Sequence, residues 1–546
     1  MSPPPETRLK SACAGGAIVL MVLLAYLPAL RGGFVWDDDS WTFRIAALLR
    51  DTSGLREIWV RPTAMQQYYP LSGTSFWLDY QLWKFWPAPY HVENVLLHAL
   101  SALLFWRLLR QLEVAGAWVA SAVFALHPIM VESAAWITER KNVLSLALCL
   151  GAALAYQRHA CAECRKTDQD AAHGAVAAGS GSLPYVVALL LFVGALLAKT
   201  TVCTFPAAVL LITWWRRGQL RLRRDVLPTL PFFAAALAMG AVTFWMEKHH
   251  AGAQGAAYAL SMSQRFLIAG RAFWFYLGKL LWPANLCFIY PRWQPNVGEW
   301  TQWLYPATAL GVLLGLWLAK GRIGRGPVTA LLFFAGTLFP LLGFFNVYFM
   351  RYSFVCDHWV YLPSLAPIAL AAFGLSKLHD YLGGARLLKF AMGGVLLLAL
   401  GLLTWKQAGT YATMESLWRN TIDGNPDSWM AHNSLGNALF RAGKTNAAIS
   451  EFEQAIRLKP DLAEAYTSLG VALNSKGQLD DGMARFQDAI RVQPDYAEAH
   501  YDLAIAFQQK GQIDDAIIEL QEAVRLKPYF AAAQRRLSSL VKPGAR

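Results

Sequence analysis

Charged residues are scarce in this 546-residue chain: only 16% of its residues are Asp, Glu, Lys or Arg, and its mean hydropathy is +0.31. A soluble protein of this length carries more charge, so lipid must solvate much of the chain. The seven cysteines are scattered and give no sign of a disulfide framework. The sequence also lacks an Asn-x-Ser/Thr acceptor, which favours a bacterial cell envelope over the secretory pathway.

The net charge of +13 is unevenly distributed along the chain. From Asn425 onward, 14 Lys and Arg residues stand against 15 Asp and Glu residues, so the positive charge belongs to the preceding part. Excess basic charge in a membrane protein usually lies in cytoplasmic loops. The basic balance therefore indicates membrane topology, and no nucleic-acid partner is expected.

Eleven apolar runs are long enough, or nearly so, to cross the hydrocarbon core of a membrane. They lie near residues 12–30, 92–110, 114–128, 142–157, 184–198, 200–215, 228–246, 303–320, 327–345, 360–377 and 387–405. A further stretch, 265–281, contains three cations and is expected to lie in the membrane interface. The first run has the features of an uncleaved signal anchor with the N-terminus inside, so an odd number of spans places the C-terminal part outside.

A 34-residue period marks the C-terminal part of the chain. Prolines recur at this interval, and between them recur small residues at matching positions: Pro426, Pro460, Pro494, Pro528, Gly436, Gly470 and Ala504. This is the tetratricopeptide pattern, in which small residues let paired helices approach closely and proline ends each second helix. The sequence predicts an all-α protein with a polytopic membrane domain, 1–410, and a repeat solenoid, 411–546. The repeats lie near 429–462, 463–496 and 497–530, followed by a capping helix.

Three adjacent carboxylates, Asp37, Asp38 and Asp39, follow the first apolar run in a long outer loop. Their mutual repulsion requires compensation by cations, by a metal or by hydrogen-bond donors. It can also raise the pKa of one carboxyl enough for that group to act as a general base. The alternative is a solvated turn or a helix N-cap before residues 41–50.

Polar residues also mark the outer end of the second span, where His91, Asn94 and His98 lie at i, i+3 and i+7 and share one helix face. They line an active-site cavity or form hydrogen bonds with neighbouring helices, and their spacing leaves both interpretations open.

Other acids and cations return to the same predicted side of the membrane. They are His127, Glu132, Arg140, Lys141, Lys199, Asp357 and His358. Such a group on one face of an otherwise apolar domain indicates a site for a phosphorylated amphiphile. The alternative for each cation taken singly is snorkelling to the interface.

The sequence indicates a zinc site less strongly than it indicates the site of acids and cations. His159, Cys161, Cys164 and His173 are spaced like a metal knuckle, but this loop is predicted to be cytoplasmic and has a single Cys-x-x-Cys.

The ordered set of segments resembles a known family over nearly the whole chain. The segments are Trp36-Asp37-Asp38, His91-x-x-Asn94-x-x-x-His98, His127 to Lys141, Asp357 to Pro363 and the trailing repeats. Together they resemble the transmembrane and tetratricopeptide-repeat-containing O-mannosyltransferases, particularly their bacterial-type members. That family belongs to the GT-C glycosyltransferases, multi-span enzymes that take a sugar from a polyprenyl-phosphate donor at the extracytoplasmic face.

The resemblance implies inverting transfer, in which an acceptor hydroxyl attacks the anomeric carbon while the lipid phosphate leaves. Asp37 or Asp38 would deprotonate the acceptor and Glu132 would assist. Arg140, Lys141 and Lys199 would neutralise the donor phosphate. The cavity would be lined by His91, Asn94, His98, His127, Asp357 and His358. No cofactor is certain, and a divalent cation, Mg²⁺ or Mn²⁺, on Asp37, Asp38 and Asp39 stays open.

Mannose is the expected sugar, and the expected acceptor is a protein Ser or Thr presented by the repeats, although a glycan or a lipid stays open. The resemblance places the protein in a bacterial cytoplasmic membrane with the repeats on the periplasmic side. One alternative is a non-enzymatic membrane scaffold, which leaves the outer acids and cations unexplained. Another is a transporter, which would more often show acids within interrupted spans.

Overall fold

The computed structural model describes residues 5–38, 46–173, 182–381 and 386–541. Within these ranges the regular structure is helical and no β-strand occurs, which confirms the predicted all-α class. The chain divides into two compact units, Met1–Thr413 and Met414–Arg546. This division is close to the predicted domain boundary after residue 410.

The first unit consists of helices joined by buried loops and short 3₁₀ turns. In chain order the helices are α1 (Pro5–Ala25), α2 (Ala46–Leu49), α3 (Thr52–Val60), α4 (Pro70–Trp83), α5 (Pro87–Gln111), α6 (Ala117–Leu126), α7 (Val131–Ala135), α8 (Arg140–His173), α9 (Ser182–Ala198), α10 (Phe205–Arg217), α11 (Leu230–His249), α12 (Met262–Leu281), α13 (Leu304–Ile323), α14 (Gly326–Leu338), α15 (Leu365–Tyr381) and α16 (Arg386–Thr410).

Several of these helices are candidate membrane spans. Among the described residues, four helical segments are long and apolar enough to cross a membrane: Pro87–Gln111, Leu222–His249, Trp300–Ile323 and Ala391–Thr410. Shorter apolar helices are Leu9–Ala25, Ser182–Ala198, Gly326–Leu341 and Leu365–Leu378. These helices agree with a polytopic membrane domain, while the count of eleven spans stays a prediction.

The third apolar run does not continue as one straight helix. Helix α6 ends at Leu126, and the segment Pro128–Ala135 continues after a bend of 57°. Proline lacks a backbone donor and its ring clashes with the preceding turn, so Pro128 favours a break here. Every residue from 124 to 143 is buried. The bend therefore directs a polar loop into the interior of the first unit.

The stretch 265–281 lies within α12, which begins at a capping box formed by Ser261 and Gln264. Its cations contact protein groups. Arg265 donates to the carbonyl of Gly343 at 2.6 Å, and Arg271 lies 4.6 Å from the ring of Trp293. Lys279 donates to the carbonyl of Ala284 at 2.6 Å.

The second unit has the helix pairs that the 34-residue period predicts. Its helices are α17 (Met414–Gly424), α18 (Trp429–Arg441), α19 (Thr445–Leu458), α20 (Ala463–Ser475), α21 (Leu479–Val492), α22 (Ala497–Gln509), α23 (Ile513–Leu526) and α24 (Ala531–Leu540). A Cβ at Gly436 would lie 2.6 Å from Phe452 Cε1, and one at Gly470 would lie 2.6 Å from Phe486 Cε1. These contacts explain why each pair needs a small residue at this position.

Candidate active site

Asp38 is completely buried and fixes the first loop against a distant loop. One carboxylate oxygen, Oδ2, accepts from the backbone N–H of Val35 at 2.7 Å. The other, Oδ1, accepts from Thr138 N at 2.8 Å and from Thr138 Oγ1 at 2.6 Å. Burial raises the pKa of Asp38 to about 7, although these hydrogen bonds oppose the rise.

The neighbours of Asp38 differ from it in burial. Asp37 is only half-buried, and its charge raises the pKa of Asp38 further. Trp36 has a φ of 49°, which is uncommon for a bulky residue and turns the chain sharply before the two acids. Asp39 lies outside the described residues. Within the described ranges no three His, Cys, Asp or Glu side chains form a group that could hold a metal ion. The predicted metal set includes Asp39, so it stays a prediction.

The loop that carries Thr138 uses consecutive residues for different contacts. Thr138 binds Asp38, Glu139 binds lysines, and Arg140 binds acids of α4 and α5. Alternating directions along a turn allow neighbouring side chains to reach different elements. This short segment therefore connects most parts of the candidate site.

Arg140 is fully buried, and its partners are acids that form no ion pair with Lys141 or Lys199 within the described residues. Its Nη1 lies 2.9 Å from Asp79 Oδ2 and 2.6 Å from Glu93 Oε2, and its Nη2 donates to the carbonyl of Tyr90 at 3.0 Å. Burial raises the pKa of Asp79 to about 7, while the charge of Arg140 opposes this. The guanidinium thus joins α4, α5 and α8, and the structure does not bring it to the other predicted phosphate ligands.

Lys141 and Lys199, the other two predicted phosphate ligands, do meet. Their ammonium groups contact the two oxygens of Glu139, at 3.1 Å and 2.9 Å respectively. Burial alone would raise the pKa of Glu139, but His358, Lys141 and Lys199 hold it well below its usual value. The carboxylate is therefore ionised and bridges two cations from different elements.

Glu132 reaches the same cluster through His358. His358 Nδ1 lies 2.9 Å from Glu132 Oε1, and the backbone N–H of His358 donates to Glu132 Oε2 at 3.1 Å. Burial lowers the pKa of His358 to about 3, so its imidazole is neutral, and its Nδ1 shares a hydrogen bond with Glu132 Oε1. We call Glu132, Glu139, Lys141, Lys199 and His358 the polar cluster.

Asp357 lies next to His358 in the chain but has a different partner. Tyr290 donates its hydroxyl to Asp357 Oδ1 at 2.8 Å. Burial raises the pKa of Asp357 to about 7, and Tyr290 and Lys279 oppose the rise.

The polar residues of α5 hold loops together. His91 Nε2 lies 3.4 Å from the carbonyl of Gly33, and Asn94 donates to the carbonyls of Trp136 and Ile137 at 3.0 and 3.2 Å. A Cβ at Gly32 would lie 2.9 Å from the carbonyl oxygen of Ala29 and 3.2 Å from His91 Nε2, so a side chain here would force the neighbouring segments apart.

His98 and His127 bind backbone carbonyls inside the helix bundle. His98 contacts the carbonyl of Ala125 at 3.1 Å and the hydroxyl of Tyr361 at 2.7 Å. His127 contacts the carbonyl of Leu280 at 3.0 Å. Of the six predicted cavity residues, His358 lines the small cavity described below. His91, Asn94, His98 and His127 instead contact backbone carbonyls of other segments.

An aromatic group beside the acids was not predicted from the sequence. The Phe288 ring lies 5.0 Å from Trp136, 6.1 Å from Trp36 and 6.4 Å from both Phe349 and Tyr411, measured between ring centroids. Phe288 belongs to the apolar run 286–290 within an irregular loop, and an apolar run in such a loop is the signal that could have indicated it.

A small cavity adjoins the polar cluster, and a larger apolar cavity adjoins the small one. The small cavity, of about 10 Å³, is lined by Asn142, Lys199 and His358. The apolar cavity, of about 400 Å³, lies among α5, α8, α10, α14 and α15. Both include Thr337 and Leu362 in their walls, so the apolar cavity adjoins the small cavity that Lys199 lines.

Two of the four predicted zinc ligands have described side chains. His159 packs against Tyr185 with ring centroids 5.1 Å apart, and Cys161 is exposed. The side chains of Cys164 and His173 lie outside the described residues.

The repeats match known family models. The TPR repeat model matches residues 436–477 and 472–511, and the Tetratricopeptide repeat model matches 497–530. Among solved structures, the crystal structure of MamA protein is 25% identical with a TM-score of 0.22, covering 23% of this chain and 69% of that one. The Arabidopsis OM64 TPR domain is 18% identical with a TM-score of 0.20, covering 20% of this chain and 94% of that one.

Similarity also extends across the first unit. Protein O-mannosyl-transferase TMTC1 of Homo sapiens is 26% identical, over 83% of this chain and 56% of the relative. A protein O-mannosyl-transferase of Caenorhabditis elegans is 25% identical, over 81% and 62%, and Tmtc3 of Drosophila melanogaster is 26% identical, over 84% and 56%. This chain thus spans between 56% and 62% of the length of these relatives. Over most of its own length, the chain is a homologue of proteins named protein O-mannosyl-transferases, and its C-terminal part carries tetratricopeptide repeats.

Proposed function

We propose that this chain is a membrane glycosyltransferase that moves a sugar, mannose by expectation, from a polyprenyl-phosphate donor to a hydroxyl group of a protein. The observation that carries the proposal is the connection between two acids and two buried lysines. Asp38, next to Asp37, accepts a hydrogen bond from Thr138. The residue after Thr138 is Glu139, which forms ion pairs with both lysines. The names of the relatives support the reaction class. The expected orientation, with catalysis at the extracytoplasmic face, is part of the proposal.

Asp37 is the general base in this proposal. Asp38 is fully buried and its two oxygens already accept three hydrogen bonds, whereas Asp37 is half-buried beside it. A base must come within hydrogen-bond distance of the hydroxyl that it deprotonates. Asp38 therefore acts as the positioning residue that presents Asp37.

The reaction proceeds as an inverting displacement. Asp37 takes the proton of the acceptor hydroxyl, and the oxygen forms a bond to the anomeric carbon. The bond between that carbon and the phosphate oxygen breaks, and its electron pair leaves with the lipid phosphate. Lys141 and Lys199 stabilise the charge that develops on this leaving group.

The apolar cavity suits the lipid part of the donor. One wall runs along α14 from Gly326 to Thr337, which is about 17 Å at 1.5 Å per residue. Apolar side chains such as Phe105, Phe205 and Phe333 supply most of the remaining wall. An isoprenoid chain in this cavity would place its phosphate near Lys199, where the two cavities meet.

The tetratricopeptide unit supplies the partner-binding part of the proposal. Repeats of this kind present extended surfaces to other proteins. We assign the acceptor protein, or a protein that delivers it, to this surface.

The test is transfer of labelled sugar from a polyprenyl-phosphate mannose to a Ser/Thr-containing acceptor by the full-length protein in lipid nanodiscs. Asp37→Asn should reduce kcat by about 10² to 10⁴ while thermal stability stays unchanged, because the amide cannot accept the proton. Asp461→Asn, at an exposed turn between repeats, is the matched control and should keep full activity.

Retained turnover in folded Asp37→Asn would refute the base assignment. Absence of transfer by wild type from every polyprenyl-phosphate sugar would refute the enzyme proposal and leave a membrane scaffold as the function to pursue.

A further inference from the structure

A histidine in the first repeat faces two hydrogen-bond acceptors at once. His432 lies on α18 and is 9% exposed. Its Nδ1 lies 2.7 Å from Glu451 Oε2 on α19, and its Nε2 lies 3.0 Å from the carbonyl oxygen of Pro426. One imidazole therefore joins the turn before α18 and the second helix of the repeat to α18.

The 34-residue period shows that these contacts belong to one position of the repeat. In the third repeat His500 lies 2.6 Å from Glu519 Oε2 and 3.2 Å from the carbonyl oxygen of Pro494. In α24 the same position is occupied by Gln534, whose amide donates to the carbonyl of Pro528 at 2.6 Å. The contact with the proline carbonyl thus needs only an N–H donor, and the histidines add a contact with a carboxylate.

The two contacts of His432 cannot both be hydrogen bonds while its ring is neutral. A neutral imidazole has one N–H group and one nitrogen lone pair, whereas the imidazolium has two N–H groups. Both partners, a carboxylate and a backbone carbonyl, are acceptors. Protonation therefore converts a ring that satisfies one partner into a ring that satisfies both, one of them through a charge-assisted hydrogen bond.

The surroundings of His432 favour the protonated ring. Burial lowers the pKa of His432, but Glu451 and the carbonyl of Pro426 outweigh that effect and hold the pKa above its ordinary value of 6.5, while Arg457 on α19 opposes them. The folded state therefore binds this proton more tightly than the unfolded chain does. Its contribution to stability is complete below about pH 6.5 and is lost as the pH rises through the folded-state pKa.

Other charged groups on the elements around α18 are paired with one another or exposed. On α17, Glu415 forms an ion pair with Arg419. Asp423 and Asp427, on either side of Pro426 in the chain, are exposed, and so is Glu464 at the start of α20. Glu451 and Arg457 are thus the charges that act most strongly on His432.

We propose that His432 is a pH-dependent switch of the first repeat, which when protonated connects both α19 and the turn at Pro426 to α18 and when neutral gives up one of these two connections. The inference does not depend on the proposed reaction. The first repeat opens more readily at alkaline pH than at acidic pH. With the repeats outside the membrane, as proposed, the pH of that compartment sets how firmly the first part of the partner-binding unit is closed.

The test is hydrogen–deuterium exchange of the full-length protein in lipid nanodiscs, with rates corrected for the intrinsic effect of pH. In wild type, the amides of α18 and α19 should be protected about three- to tenfold more strongly at pH 5.5 than at pH 8, the equivalent of one hydrogen bond. His432→Gln, which copies the residue of α24, keeps a donor for Pro426 and takes up no proton. Its protection should therefore change less than about twofold.

Tyr466→Gln is the matched control, because Tyr466 occupies the same position in the second repeat. It should keep the wild-type ratio of protection in α18 and α19. Glu451→Gln covers the case in which His432→Gln does not fold. It keeps an acceptor for Nδ1 but removes the negative charge that favours the imidazolium, so the ratio should again fall below about twofold.

Equal protection of wild type at the two pH values would overturn the switch. A wild-type ratio that persists in both His432→Gln and Glu451→Gln would also overturn it, because the proton would then act on another group. Neither result bears on sugar transfer, so the proposed function is tested separately.

Discussion

At the scale of single residues, adjacent acids and cations have separate roles that their spacing in the sequence does not reveal. Thr138, Glu139, Arg140 and Lys141 follow one another, yet Arg140 binds Asp79 and Glu93 while Lys141 binds Glu139. The sequence predicted that Arg140 and Lys141 act together on a phosphate. Backbone direction in the loop, which no residue pattern indicates, separates them.

Arg140 offers a clear test of this separation. Arg140→Met leaves the buried Asp79 carboxylate without its cation, so it should lower the free energy of unfolding by about 3 to 5 kcal/mol. Thermal unfolding in detergent checks the loss, and Arg61→Met, at an exposed pair, should change stability by less than about 1 kcal/mol. A stable Arg140→Met protein whose only defect is a higher KM for donor would show that Arg140 binds phosphate after all.

Asp357 provides a pH-dependent prediction. Its folded-state pKa of about 7 lies above its usual value, so the folded state holds the proton more tightly than the unfolded chain does. The contribution of this group to stability is therefore lost as pH rises from about 4 to 7. Asp357→Asn keeps an acceptor for Tyr290 and has no proton to lose, so its Tm relative to wild type should increase across that range.

The measurement is a series of unfolding curves for both proteins from pH 4 to pH 8. A difference in Tm between Asp357→Asn and wild type that is independent of pH would contradict the prediction.

At the scale of helices and loops, the 34-residue period predicted the repeat unit well because its spacing is local. Gly436 and Phe452 belong to consecutive helices, so their contact follows from sequence position. The contacts of Asp38 with Thr138 and of Glu132 with His358 join residues that are far apart in the chain. Topology predicted that these loops share a side of the membrane, but it could not predict which side chains pair.

The predicted histidine face of α5 illustrates the same limit. Helical periodicity placed His91, Asn94 and His98 on one face, and all three are buried. Their partners are backbone carbonyls of loops, including Gly33, Trp136 and Ala125. A pattern of side chains cannot show where the backbone of another segment passes.

Gly436 gives a prediction for the repeat unit. A Cβ at this position would lie 2.6 Å from Phe452 Cε1, so Gly436→Ala should destabilise the unit by about 1 to 3 kcal/mol through overpacking. Gly336→Ala in α14 is the matched control, since a Cβ there meets nothing within 4 Å. Circular dichroism during thermal unfolding measures both, and equal Tm values for the two variants would contradict the proposed packing.

At the scale of the whole molecule, the apolar cavity and the polar cluster together determine which donors the protein would accept. Ala208 lines the cavity, whereas its neighbour Ala207 does not. Ala208→Trp should raise KM about tenfold for a long-chain polyprenyl-phosphate sugar and leave KM for a donor with two isoprene units unchanged, because only the long chain needs the filled volume.

Ala207→Trp on the exposed side of the same helix is the control, and transfer assays with the two donors distinguish the variants. Equal effects of Ala208→Trp on both donors would show that the lipid lies elsewhere.

The hydrogen bond between Gly33 N and Ala412 O, 3.0 Å long, joins the first loop to the segment that leaves α16. Gly33 lies two residues before Val35, whose N–H donates to Asp38, so this bond connects the end of the first unit to the loop of the two acids. A mechanical load on the chain at Thr413 would reach the hydrogen bond between Ala412 and Gly33 before it reached any membrane helix. If the repeats bind a protein as proposed, tension on that protein would therefore reach the loop that carries the two acids first.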